Sequence, residues 1–114
     1  MDVTTVVDKL TNNEFIAEEL VGILGVNNPI TFYNAVVCVV RNNMKDDMII
    51  DKLLELRTRL SNEYKLLGYY KIGHLAMATL LKLGIEESKV LFDELNDFEK
   101  EFVWKMYDGD FWNQ

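Results

Sequence analysis

Apolar residues recur along this chain at the three-to-four-residue spacing of helices, and the alternation that marks half-buried strands is scarce. Between 14 and 24 the stripe Phe15, Ile16, Leu20, Ile23 and Leu24 predicts a helix, with Asn12 or Asn13 as its cap and Gly25 as its stop. A shorter helix of a turn or two is expected before it, over 4–10. Asn28 followed by Pro29 is a strong start signal: the asparagine oxygen can accept an orphan N–H, and proline lacks one where none is needed. The helix it opens runs to about 43. It contains the valine-rich run 35–40, which reads as buried helix because a capped segment of this length is long for a strand.

Asp46 and Asp47 open a further helix over 48–60, with Ile49, Ile50, Leu53, Leu54 and Leu60 inward and Lys52, Glu55, Arg57 and Arg59 outward. The stretch 61–68 reads as a connection with some structure of its own. Helices over 69–83, ending at Gly84, and over 88–95 and 97–107 complete the chain. Asn96 with Glu99 three residues on has the pattern of a capping box. The stripe Leu91, Leu95, Phe98, Phe102 and Met106 has the spacing to face the core. The fold class is therefore all-α in one domain, 1–114: an antiparallel helical-hairpin array or a compact bundle of five to six helices.

An internal repeat bears on that choice. Residues 27–43 and 68–84 align without gaps at a spacing of 41, placing Ala35 on Ala76, Val36 on Met77, Val39 on Leu80 and Val40 on Leu81. Each segment follows a more amphipathic helix, and a period near 40 is that of solenoid repeats. The second segment, with Ala76, Ala78, Leu80, Leu81, Leu83 and Gly84, resembles the inner helix of a HEAT repeat, though the Asp and Arg positions of that repeat are missing. Any antiparallel helical bundle produces the same pattern.

With 114 residues, 49% of them hydrophobic, the chain can bury a core without disulfides or metals. No apolar run approaches the roughly 20 residues needed to span a bilayer, and no secretory leader is visible at the start. The single cysteine, Cys38, cannot form an internal disulfide. These features predict a cytoplasmic protein with no membrane partner.

Charge sharpens the picture. The net charge is −7, and residues 86–114 hold nine acids against three lysines, leaving −1 for the first 85 residues. Such a field repels phosphate backbones, so direct nucleic-acid binding is not expected; a basic partner would be attracted and its encounter accelerated.

Candidate chemistry is thin. His74 is the one histidine, and with one cysteine beside it no Cys/His metal cluster can be assembled. The expectation is a packed or half-exposed histidine and a core cysteine whose thiol is raised by apolar Val36, Val37, Val39 and Val40. A Cys38–His74 dyad requires the two repeat segments to be neighbours. Asp93–Asp97 and Asp97–Glu101 have helical spacing, but hydrolytic work needs such carboxylates in a concave, desolvated pocket. Phosphate- and dinucleotide-binding loops and calcium loops are missing. The reading is a chain without catalysis, cofactor or metal.

What remains is a surface. Seven of the thirteen aromatics lie between Phe92 and Trp112, and Trp104, Tyr107, Phe111 and Trp112 do not all fit the inward stripe. Either the tail folds back over them, or two or three stand exposed among Glu101, Asp108 and Asp110 as a hot spot for a basic protein partner. A homodimer is the other common use of such residues.

With 27–43, 68–84 and this acidic aromatic tail, the chain resembles the immunity proteins that protect bacteria from polymorphic toxins, several families of which use HEAT-like helical folds. The resemblance implies a protein that neutralises a basic toxin or nuclease domain through Asp93, Asp97, Glu101, Trp104, Tyr107, Asp108, Asp110, Phe111 and Trp112. A structural or assembly protein acting as a homo-oligomer is the alternative. A phage-type inhibitor of a host nucleic-acid enzyme ranks third. A small-molecule pocket lined by Met44, Met48 and Met77 is the remaining use of the helical core.

Overall fold

A computed structural model describes residues 17–26, 28–60, 65–67 and 70–113. The helix expected over 4–10, the caps Asn12 and Asn13, and stripe residues Phe15 and Ile16 lie outside the described residues. The architecture is all-α. Among the described residues the order is α1 (Ala17–Leu24), α2 (Pro29–Arg41), α3 (Asp47–Leu56), a short hairpin of β1 (Lys65–Leu67) and β2 (Tyr70–Lys71), α4 (Ile72–Lys82), α5 (Glu86–Asp93), α6 (Asp97–Tyr107) and a closing 3-10 turn, Asp110–Asn113. None of the described helices is long and apolar enough to cross a membrane.

The bundle is organised around α4. Every residue of it from Ile72 to Leu80 is buried, and α2, α3, α5 and α6 all pack against it. A helix that is apolar all round belongs at the centre of a core. The run 35–40 is helical as expected: Ala35, Val36 and Val39 are fully buried in α2 together with Phe32. The two segments related by the 41-residue repeat thus meet face to face. They open differently, the first on a proline-capped helix and the second on the strand Tyr70–Lys71.

The capping signals act as the chemistry demands. Asn28 Oδ1 accepts the Thr31 N–H at 3.0 Å, and Asn96 Oδ1 accepts the Glu99 N–H at 2.8 Å. Gly84, at φ +72°, supplies the left-handed turn after α4, a conformation glycine adopts without a Cβ penalty.

Two boundaries depart from expectation. The helix predicted to reach residue 60 stops at Leu56, because the Thr58 hydroxyl donates to the Glu55 carbonyl at 2.9 Å and the chain tightens through bonds from Arg59 N to Leu56 O and Leu60 N to Thr58 O. Threonine competing for backbone in this way ends helices. Of the residues expected to point inward from this helix, Ile49 and Leu53 are fully buried, while Ile50, Leu54 and Leu60 are half-buried. The helix predicted from residue 69 starts at Ile72, because Tyr70 and Lys71 pair antiparallel with Leu67 and Lys65 instead.

Thr31 carries an unmet cost. Its Oγ1 is buried with no hydrogen-bond partner among the described residues. Thr31→Val keeps the branched shape and removes the orphan hydroxyl, so it is expected to stabilise the fold by roughly 1 kcal/mol. A urea midpoint that is unchanged or lower contradicts this.

Candidate functional site

α6 divides into two faces, and they do different things. Its inner face carries Glu99, Phe102, Val103 and Met106, and α6 packs more extensively on α4 than on any other element. Val103 is buried. Phe102 stacks on the His74 ring at 5.2 Å and meets Tyr70 and Phe98 edge-on at 5.2 and 4.8 Å.

His74 is buried and fully engaged. Its Nδ1 accepts the Lys71 backbone N–H at 2.9 Å, closing the first turn of α4. An Nδ1 that accepts leaves the ring proton on Nε2, which donates to the Glu99 carboxylate. Burial pushes His74 below its ordinary value of 6.5, with Glu99 pulling the other way and Lys71 adding to the depression. The histidine is therefore a neutral bolt between α4 and α6. Glu99 is spent on this contact, so the capping box expected at the start of α6 is half made: Asn96 caps, and the glutamate turns inward.

Cys38 is buried and its thiol is raised, first by desolvation, in keeping with its apolar setting. Asn42 Nδ2 approaches its sulfur at 3.6 Å. A Cys38–His74 dyad does not form, since both ring nitrogens of His74 are held by Lys71 and Glu99. Among the described residues no three His, Cys, Asp or Glu side chains converge as metal ligands would.

The outer face of α6 is another matter. Asp97, Glu101, Trp104 and Asp108 follow one another at i, i+4, i+7 and i+11, which puts them on one stripe. The three acids are exposed and Trp104 is 52% exposed. Eight of the nine acids in 86–114 are exposed, so the negative field is delivered to solvent and not absorbed by internal pairing. The Glu101–Lys105 pair at 3.1 Å lies open to water on both sides and does little to cancel it.

At the edge of this stripe, Leu81, Lys89, Phe92, Asp93, Trp104 and Tyr107 line a cleft of about 350 Å³. Trp104 lies nearly parallel to Tyr107, with centroids 5.2 Å apart and planes 11° apart, and Phe92 is 6.4 Å from Trp104. The Lys82 ammonium sits 4.3 Å above the Tyr107 ring. Neither this cleft nor a smaller one beside Gly25 is lined by a methionine. Met77 is buried in the core and Met48 is largely exposed, so the three methionines do not share a pocket.

The expected partner-binding residues therefore separate. Asp93, Asp97, Glu101, Trp104 and Asp108 share the α5–α6 surface, and Tyr107 backs Trp104 from a half-buried position. Asp110 is exposed on the 3-10 turn. Trp112 is not on this surface: it is 5% exposed, its Nε1 donates to the Met106 carbonyl at 2.9 Å, and its turn packs on α2. The tail folds back far enough to bury it. The side chain of Phe111 lies outside the described residues.

Two expectations about spacing are corrected. Asp93 and Asp97 do not share a helix face, because α5 ends at Asp93 and α6 begins at Asp97. Phe98 does not join the inward stripe and is 60% exposed. The break at Asn96 separates the two carboxylates onto different helices, whereas Phe98 sits in the first turn of α6, its ring edge-on to Phe102 and otherwise open to solvent. Leu81, Lys89 and Phe92 are the cleft residues absent from the expected set; Leu81 reads only as a position of the repeat. For Lys89 and Phe92 the available signal is their i, i+3 spacing just before Asp93.

No protein-family model, no curated protein and no solved structure matches this chain.

Proposed function

We propose that this chain is a non-catalytic protein-binding module, an immunity or inhibitor protein that neutralises a basic toxin or nuclease domain through the outer face of α5 and α6. The single observation that carries the reading is the half-exposed Trp104 set on a stripe with exposed Asp97, Glu101 and Asp108. An exposed tryptophan ringed by charge of one sign has the composition of an interface anchor: the ring supplies buried area and the carboxylates steer a basic partner. His74, the one histidine, is committed to holding α4 to α6, which suits a rigid binding surface.

The test is kinetic. The basic protein that co-purifies with the chain from its native cells is bound to the wild type and to a variant with Asp93, Asp97, Glu101 and Asp108 changed to lysine. The association rate at low salt is expected to fall by at least about tenfold, and its dependence on salt to flatten. Trp104→Ala is expected to act on the dissociation rate instead. An association rate and salt dependence unchanged by charge reversal would falsify the reading.

A homo-oligomeric assembly protein is favoured by one further observation: Val90 and Phe98, at 61% and 60% exposure, add apolar area to the same two helices. Light scattering that gives a stable oligomer whose Trp104 fluorescence changes on dilution would support that reading over the first.

A further inference from the structure

Cations are already drawn to the aromatic cluster of α5 and α6. Lys82 lies 4.3 Å over the Tyr107 ring and Lys100 lies 6.0 Å from the Phe92 centroid. Tyr107 covers one face of the Trp104 indole at a near-parallel 11°. About half of Trp104 is exposed, and its ring lines the cleft with Tyr107 and Phe92. Asp93 lines the same cleft one helical turn from Lys89, yet among the described residues its carboxylate makes no ion pair or hydrogen bond.

A half-exposed indole in one cleft with an unpaired carboxylate, in a region with a net charge of −6, is complementary to one side chain above others. Arginine is planar and weakly hydrated, stacks on tryptophan, and presents a fork of N–H donors that fits a carboxylate. Lysine is a compact, strongly hydrated point charge that neither stacks flat on a ring nor presents a fork.

We propose that the α5–α6 cleft is an arginine-binding site: the guanidinium of a partner arginine lies flat on Trp104 and donates to Asp93, while Phe92 and Leu81 pack against its aliphatic stem. This rests on the protein-binding reading above and names the partner's anchoring residue. The carboxylates of α6 then act at longer range, bringing the basic partner in without distinguishing arginine from lysine.

The test uses the full chain and two dye-labelled peptides of equal length and charge, one alternating arginine with glycine and the other lysine with glycine. Binding is read by fluorescence polarisation at physiological salt. The arginine peptide is expected to bind about tenfold more tightly. Asp93→Asn and Trp104→Ala, both surface substitutions whose folding is checked by circular dichroism, are each expected to bring that ratio to about one. Charge reversal at Asp97, Glu101 and Asp108 weakens both peptides together and leaves the ratio intact. Equal affinity for the two peptides in the wild type, or a ratio that survives both cleft variants, overturns the arginine site while leaving the acidic-surface reading standing. If neither peptide binds, both fall.

Discussion

Replacing Gly73 with alanine is expected to lower the unfolding free energy by about 3 kcal/mol, the upper part of the range for overpacking a core. A Cβ at this position would lie 2.7 Å from the Arg57 carbonyl oxygen, 3.0 Å from that of Arg59 and 2.7 Å from Leu60 Cδ2. The leucine tip can swing away; the two carbonyls cannot. They belong to the turns that end α3, and the Gly73 N–H is itself bonded to the Arg59 carbonyl at 3.0 Å. The first turn of α4 is therefore pressed backbone to backbone against that segment. For a domain of this size the loss corresponds to a melting temperature lower by more than about 10 °C. Gly22 is the control: it lies in α1 with nothing near the site of a Cβ, so Gly22→Ala is expected to leave stability level or raise it slightly. Equal melting temperatures for Gly73→Ala and the wild type contradict the account.

Removing the Glu99 carboxylate is expected to cost about 2 to 3 kcal/mol, because the buried His74 Nε2–H then has no acceptor. Glu99→Ala should show this loss, and Glu99→Gln should recover most of it, since an amide oxygen can still accept. Acid provides an independent readout. His74 in the folded protein sits below its ordinary 6.5, so the unfolded chain takes up the proton first. The contribution of the neutral histidine is full above about 6.5 and is lost as pH falls from there toward the depressed folded value. Protonation would also place a hydrogen on Nδ1, facing the Lys71 N–H that it now accepts. His74→Gln should remove this part of the acid limb, whatever its effect on absolute stability. Glu99→Gln should extend it to lower pH, because the carboxylate that props the histidine up is gone. Urea midpoints measured between pH 7.5 and 5 on the order of half a unit apart test both; parallel curves for the wild type and His74→Gln contradict the assignment.

Local chemistry made much of the fold legible. Asn28 with Pro29, Asn96, and Gly84 are residues whose side chains or lack of them solve a backbone problem on the spot, and each element boundary they mark appears where spacing placed it. The valine run 35–40 was readable for a similar reason: its capped context outweighed its strand propensity. What could not be read depends on contacts between distant segments. The hairpin of β1 and β2 is too short to leave an alternating pattern, and the close approach at Gly73 exists only because α3 stops early. Glu99 could be seen as a capping residue but not as a partner for His74, 25 residues away. On the candidate surface the acids are exposed, as is the default for carboxylates, but the spacing of Asp93 and Asp97 did not reveal that they stand on different helices. The aromatics were harder. Trp104 and Trp112 are alike in composition, and only the return of the 3-10 turn onto α2 decides that one is outside and the other in.

In the proposed function α6 holds the fold with its inner face and meets a basic partner with its outer one. The most direct measurement is recovery of the tagged chain from its native cells, beside a variant carrying Asp97→Lys, Glu101→Lys, Asp108→Lys and Trp104→Ala, with one wash at low salt and one at about 0.5 M. At the higher salt the screening length is only about 4 Å, so steering is suppressed while packed contacts persist. The account predicts one basic protein that stays with the wild type through both washes and is absent from the variant, whose melting temperature is unchanged. Recovery of the chain alone as a defined oligomer, or a partner retained equally by the variant, would contradict it.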